Sequence, residues 1–340
     1  MVLERLCNAS GPSGFEFEIR DLVKDMISGK VDEIKEDILG NIIAIKYGKD
    51  NSKRIMFDAH IDEVALIVTD IDSEGYLSFR ALGGVDPRIL LSKKVLIGDK
   101  KIPGVIMSLA IHLQDRANLL KAPTYDDLKI DVGAKSDKEL KGKIEPGDYI
   151  VFDSKFRNLG LKYKGKAFDD RAGTGVLIET IYALEGVKPL YDLYFVFAVQ
   201  EETGLRGATV AAHNIDPTYA FIFEGTTVGD NPLIEKHRRS SILGKGPVIT
   251  LAQSGMVLSK KLSDFVTSVA DKNNIPYQIK MRIPGGTDAF RISGTKKGVP
   301  SAVISVPSRY IHSMNSVIDP EDYENAKKLC SAIINSLNEL

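Results

Sequence analysis

The chain has no tryptophan and only two cysteines, Cys7 and Cys330, far apart in 340 residues. Two thiols in a chain of this size give no disulfide framework and suit a reducing compartment. A dominant charge is missing as well, since 45 basic and 46 acidic side chains leave a formal net charge of −1. No global field therefore points to nucleic acid or to an anionic membrane. Nucleic-acid binding would need a local patch. The best run, Lys236-His237-Arg238-Arg239, is equally well explained as a solvated loop. No apolar stretch approaches the ~20 residues of a membrane helix. Met1 to Arg5 lead straight into Leu6-Cys7-Asn8-Ala9, without a basic n-region or an apolar h-region. A Gly-x-Ser-x-Gly elbow is absent, Gly173-Thr174-Gly175 is too short for a nucleotide fingerprint, and neither cysteine has a histidine nearby. The expectation is a soluble cytoplasmic protein with no nucleic-acid or membrane partner.

What is present is an ordinary globular composition, 43% apolar and 27% charged, long enough for one large or two linked domains. Ser13 and Glu16 have capping-box spacing ahead of Ile19, Leu22, Val23, Met26 and Ile27, which predicts a helix. Ile38 to Ile45 is apolar and β-branched around Gly40-Asn41, a strand signal. Four later segments share one design. Ile55-Met56-Phe57 runs into Asp58-Ala59-His60-Ile61-Asp62-Glu63, and Leu193 to Val199 stops at Gln200-Glu201-Glu202. Ala220 to Phe223 stops at Glu224-Gly225, and Ala302 to Val306 precedes a short loop with His312. Such runs fit strands buried on both faces, and ligands of open α/β sheets sit beyond the carboxyl ends of the strands. Helices are expected between them, over 172–185, around Leu262 to Val269, and after Asp319-Pro320, an N-cap with proline at the first helical position. From about 72 to 164 the pattern changes to short β-rich pieces such as Lys94 to Ile97 and Tyr149 to Phe152. The predicted fold is α/β: a mixed, mostly buried sheet flanked by helices on both faces, formed by 1–71 and 165–340, with an all-β domain inserted at 72–164.

The acids and imidazoles at the strand ends suggest a metal centre. Imidazole nitrogen and carboxylate oxygen are ligands of zinc and similar ions. Five residues are candidates: His60, Asp169, Glu202, Glu224 and His312. Two divalent ions carry four positive charges; three carboxylates and one bridging hydroxide cancel them. Asp62, two residues after His60, is placed to accept the second ring N–H and fix its tautomer. Glu201 and Glu202 point in different directions at a strand end, so one can bind metal while the other faces the bound water as general base. His112, His213 and His237 lack such surroundings and are taken as structural or solvated.

These residues sit in recognisable motifs. Ala59-His60-Ile61-Asp62-Glu63-Val64, Lys166-Ala167-Phe168-Asp169-Asp170-Arg171, Gln200-Glu201-Glu202-Thr203-Gly204-Leu205-Arg206-Gly207 and Tyr310-Ile311-His312-Ser313 resemble those of the glutamyl/leucyl aminopeptidases that form tetrahedral complexes. Ser10 to Glu16 and Gly285-Gly286-Thr287-Asp288-Ala289 match as well, so the resemblance spans nearly the whole chain. It implies an exopeptidase with two zinc or cobalt ions, one on His60, Asp169 and Glu224, the other on Asp169, Glu202 and His312. It further implies Glu201 as general base, Thr287 and Asp288 in the substrate pocket, short peptides as substrates, and a PDZ-like insert. The implied assembly is a homo-oligomer built from dimers, up to a hollow dodecamer. Ala65 stands where glycine is usual, Thr203 where valine is common, and Glu224 where many relatives have aspartate. None of these removes a required chemical group.

Three rival readings remain at this stage. A two-metal carboxypeptidase or deacylase shares the ligand types, but its extra domain normally follows the Glu-Glu motif, whereas here the β-rich gap lies between His60 and Asp169. A glycoside hydrolase needs two carboxyls facing each other roughly 5–9.5 Å apart, for which adjacent Glu201 and Glu202 are a poor pair. A peptide-binding scaffold built on the insert would leave the convergence of acidic strand ends unexplained.

Overall fold

The structure, a computed structural model, describes residues 1–115, 121–239, 241–280 and 285–340. Three strands come first: β1 (Glu33–Glu36), β2 (Ile42–Lys46) and β3 (Asp50–His60). The next six close into a barrel: β4 (Ala65–Ile71), β5 (Leu77–Leu82), β6 (Lys94–Ile97), β7 (Ile102–Ser108), β8 (Leu128–Asp131) and β9 (Tyr149–Phe152). Strands β10 (Arg157–Asn158) and β11 (Tyr163–Gly165) return to the first sheet, followed by β12 (Tyr191–Ala198), β13 (Tyr219–Thr227) and β14 (Val248–Thr250). A small hairpin, β15 (Ala252–Gln253) and β16 (Met256–Val257), precedes β17 (Gln278–Ile279), β18 (Ser301–Arg309) and β19 (Ser316–Ile318).

Among the described residues the large sheet runs β1-β2-β12-β3-β13-β18-β19-β11-β10, with β14 and β17 branching from β18. Its centre, β12, β3, β13 and β18, is parallel, and its flanks are antiparallel. The parallel strands are buried almost end to end because both faces are covered. On one face Phe57 stacks between Phe195 and Phe221, each pair with centroids 5.4 Å apart, under the helices Phe168–Ala183 and Pro320–Asn335. Each such ring contributes about 1.5–3 kcal/mol by burial, and each aromatic pair about 0.5–1.5 kcal/mol more. On the other face Met56, Val196 and Ile222 pack under the helix Arg206–Ile215 and the short helix Ala289–Ser293. The mixed sheet with helices on both faces agrees with the sequence expectation. No helix among the described residues is long and apolar enough to cross a membrane.

The inserted barrel starts earlier and ends earlier than 72–164. Ala65–Ile71 pairs with β5 and β9, so it belongs to the barrel, while β10 and β11 pair back towards β19 and the main sheet. Ala65–Ile71 is mostly apolar and follows β3 closely, and only its hydrogen-bond partners assign it to a different sheet. The barrel has its own apolar centre, which includes Leu66, Phe79, Ile106 and Ile150.

Two local expectations are also corrected. Ser13 and Glu16 do not cap a helix: the helix spans Phe17–Ile27, and its N-cap, Glu16, makes no side-chain cap hydrogen bond. Strand β13 does not stop at Glu224 but continues to Thr227, because Glu224 to Thr227 stays in register with Ser305 to Ser308 of β18.

Candidate metal centre

The parallel register brings the acidic strand ends to one level. His60 closes β3 opposite Ala198 of β12, and Glu224 lies two residues beyond Ile222, the partner of Asp58. Asp169 enters from the turn ahead of the helix Phe168–Ala183, where Ala167 is left-handed and Asp169 and Asp170 are non-helical. The Asp169–Asp170 peptide is cis. Asp170 then acts as the true cap, accepting the backbone N–H of Gly173 at 2.9 Å. Gly225 has to be glycine for Asp169 to approach, since a Cβ there would lie 2.9 Å from the Asp169 Cα and Cβ. His312 comes from the loop after β18, itself at φ +58°.

The other four candidate ligands converge around Asp169. One carboxylate oxygen, Oδ1, lies 3.2 Å from Nε2 of His60, which is also 3.2 Å from Glu224. The other, Oδ2, lies 3.2 Å from Nε2 of His312, which is 3.4 Å from Glu202. His312 Nδ1 lies 2.9 Å from the Gly84 carbonyl, which only accepts, so Nδ1 carries a proton and Nε2 is the nitrogen left to meet a proton or a metal ion. A lone pair facing carboxylate oxygens at such distances is repulsive unless a proton or a cation stands between them. The donor set therefore fits divalent metal ions. Glu202 Oε1 also has no hydrogen-bond partner although it is buried. Ligand atoms of His60, Asp169 and Glu202, and of His60, Glu201 and Glu224, lie within 4.8 Å of one another.

Asp62 does more than the sequence suggested. Its Oδ1 is 3.3 Å from His60 Nδ1, an ion-pair contact too poorly aligned to count as a hydrogen bond. Its well-formed bonds go to the backbone N–H groups of Glu201 and Glu202, at 2.9 and 3.1 Å. Glu16 continues this cradle: one oxygen accepts the N–H of Gln200 at 3.1 Å and of Gly14 at 2.7 Å. Three successive amides of the Gln-Glu-Glu turn, with Gln200 at φ +56°, are thus held by two buried carboxyls. Glu16, Gly84 and Asp58 were missed by sequence reasoning. Asp58 could have been found, because strand alternation puts it on the same face as His60. Nothing local marks Gly84 or Glu16.

Thr287 lines the cleft above the centre, and its hydroxyl donates to Gln253. Asp288 does not reach it. This carboxyl is buried against Asp58, so it is part of the floor behind the site. The cleft has a volume of about 740 Å³, and Glu201, Glu202, Glu224 and His312 form its inner end. His213 and His112 are exposed, and His237 is exposed beside Glu235 in a short turn.

Burial, with Asp169 adding to it, pushes the carboxyls of Glu202 and Glu224 from 4.5 up to about 8. Burial also drives Glu201 well above the carboxylate range, and neighbouring acids reinforce it. For His312 burial works downward, but Asp169 and Glu202 overcome it and lift the ring to about 9. Asp169 is held far below the usual range by the two imidazoles, against the effect of burial.

These shifts set a pH dependence for the metal-free protein. Glu202 and Glu224 bind protons more tightly when folded, so their contribution is complete below 4.5 and is lost as pH rises to about 8. His312 acts in the same sense between 6.5 and about 9. Asp169 and Asp62 act oppositely, but below 3.8. Divalent ions displace those protons, so their stabilising effect grows with pH. The melting temperature of the chelated protein is expected to fall between pH 5 and 8 and the gain from added zinc to widen. Scanning calorimetry with and without chelator measures both, and an equal gap at the two pH values would contradict the assignment.

Residues 40–329 match the family described as M42 glutamyl aminopeptidase. The lysyl aminopeptidase of Pyrococcus furiosus is 34% identical over 346 residues, covering 100% of this chain and 97% of that protein. Among solved structures, a protein from Thermotoga maritima named endoglucanase superposes with a TM-score of 0.82 at 41% identity, over 98% of this chain and 96% of the other. The Pyrococcus horikoshii TET1 peptidase, described as assembling into a tetrahedron or a large octahedral shell, has a TM-score of 0.86 at 33% identity, with 98% of each chain covered.

Proposed function

The chain belongs to the M42 glutamyl aminopeptidase family and is a peptide-bond hydrolase, and from this premise we propose that it removes N-terminal residues from short peptides with two divalent ions, zinc or cobalt. The observation that carries this reading is the symmetric placement of His60 with Glu224 and of His312 with Glu202 about the two oxygens of Asp169. His60, Asp169 and Glu224 would hold one ion; Asp169, Glu202 and His312 would hold the other. When bound, such ions polarise the scissile carbonyl and make water acidic enough to attack near neutral pH.

The protein's own groups do the rest. Glu201 lines the cleft and is the general base: its carboxylate takes a proton from the attacking water and delivers it to the leaving amine. Asp62 and Glu16 keep that carboxylate in place through the backbone of the turn. The preference for the N-terminus over cleavage within a chain rests on the family and on the lysyl aminopeptidase relative. The endoglucanase name of one neighbour is not carried over, because Glu201 and Glu202 are adjacent on one turn and the chain has no tryptophan to stack on sugar rings.

In this reading the catalytic part is the large sheet with its helices and the barrel is a PDZ-like module for assembly. The protein works in the cytoplasm as a homo-oligomer built from dimers, up to a dodecamer. Neither nucleic acid nor membrane is a partner. Aminoacyl p-nitroanilides test the activity. Release of p-nitroaniline should stop on chelation and return with zinc or cobalt, and N-acetylated substrates should react at least about 100-fold more slowly. Equal turnover of blocked and free substrates would overturn the exopeptidase assignment.

A further inference from the structure

The sheet register singles out a residue that the chemistry above does not use. Glu224 pairs with Ser305, Ser305 with Val248, and Val248 with Gln278. Paired residues share a sheet face and alternate residues repeat it, so Gln278 and Lys280 lie on the face of Glu224. The backbone of Lys280 is anchored there, its N–H donating to Ile249 at 2.9 Å. The side chain is half-buried and lines the same cleft as Glu224 and Thr287. It is the one lysine or arginine among the described residues lining that cleft.

An ammonium in a partly dehydrated wall needs a counter-charge. Burial lowers the pKa of Lys280, and Glu224 and Asp169 oppose this through space, without a hydrogen bond to it. Those two carboxylates are the proposed metal ligands, and once they are engaged they no longer compensate a lysine. Apart from Glu201, Glu202 and His312 beside those ligands, the wall, with Leu205, Val228, Ile234, Ile311, Thr226 and Ser241, is apolar or neutral. A substrate carboxylate entering the cleft would meet a cation that lacks a fixed partner among the described residues.

We propose that Lys280 binds a carboxylate of the substrate and so selects for peptides that present one inside the cleft. This rests on the aminopeptidase reading. Two sources share this chemistry: the side chain of an N-terminal Glu or Asp, and the C-terminal carboxylate of a dipeptide.

Two sets of substrates separate the sources in the metal-loaded enzyme. Glu- and Gln-p-nitroanilide differ only in the side-chain carboxylate, whereas Leu-Ala and Leu-Ala-amide differ only in the terminal one. Lys280→Met keeps the packing of the stem, and Lys280→Glu reverses the charge. The expected result is a drop of about 10-fold or more in kcat/KM for the carboxylate-bearing member of one set in Lys280→Met, with its neutral counterpart within about twofold. Lys280→Glu should penalise that same member further. Calorimetric titration of L-glutamate and L-leucine gives a readout independent of turnover, and binding of L-glutamate should weaken selectively in the variant. Ratios unchanged within twofold in both sets, together with unchanged L-glutamate binding, would overturn the proposal. If the wild type cleaves none of these substrates, the aminopeptidase reading fails, while the calorimetry still decides the role of Lys280.

Discussion

Glu201→Gln is expected to lower kcat by about 10²–10⁴-fold, the usual range for loss of a general base. The amide has nearly the shape of the carboxylate but cannot accept and return a proton. The residue also stays where it is, because its backbone N–H is held by Asp62 and the following amide by the same carboxylate. At 1.36 kcal/mol per tenfold change, the loss corresponds to about 3–5 kcal/mol of barrier. Metal content by elemental analysis should remain that of the wild type, since Glu201 is not one of the five proposed ligands. Turnover within tenfold of the wild type, with metal retained, would move the base to another group. Asp58 and Asp288 are poor substitutes, because they are buried against each other and do not line the cleft.

Asp169→Asn should have a different effect, on metal binding as well as on turnover. Each carboxylate oxygen of Asp169 faces one imidazole, Oδ1 towards His60 and Oδ2 towards His312, both at 3.2 Å. An amide keeps one acceptor and turns an N–H₂ towards the other ring, so one half of the donor set loses a ligand whichever way the amide lies. Loss of a ligand's hydrogen-bond partner alone typically costs 10–100-fold in metal affinity or activity, and loss of the shared ligand itself should exceed about 100-fold. The variant is expected to bind at most one ion per chain with appreciable affinity and to retain less than about 1% activity. Titration calorimetry with zinc counts the ions. Two ions bound with wild-type affinity would show that Asp169 is not shared between them.

The local pattern reveals only part of the site. Apolar runs that end in Asp, Glu or His are visible because burial on both faces of a parallel strand shows in the run itself, without knowledge of its neighbours. His60, Glu202, Glu224 and His312 could be named on that basis, and the motif around Asp169 supplied the fifth. Strand length was less legible. Glu224 sits inside β13, and pairing with β18 carries that strand three residues further. Ala65–Ile71 likewise follows β3 so closely that sequence alone gave no reason to assign it to the barrel.

The sequence by itself determined the residue types, their order and the burial of the strands that carry them, since hydrophobic periodicity is local and acids after apolar runs have few places to go. Only the tertiary structure decided which atoms meet. It brought Asp169 between His60 and His312, though they are 109 and 143 residues away in sequence. It aimed the Gly84 carbonyl from the edge of the barrel at His312, and it set Glu16 under the amide of Gln200 across 184 residues. It withdrew Asp288 from the cleft and left Thr287 and Lys280 on its wall. Strand register, left-handed turn residues and the approach of distant loops depend on contacts far apart in the chain, and no window of neighbouring residues contains that information.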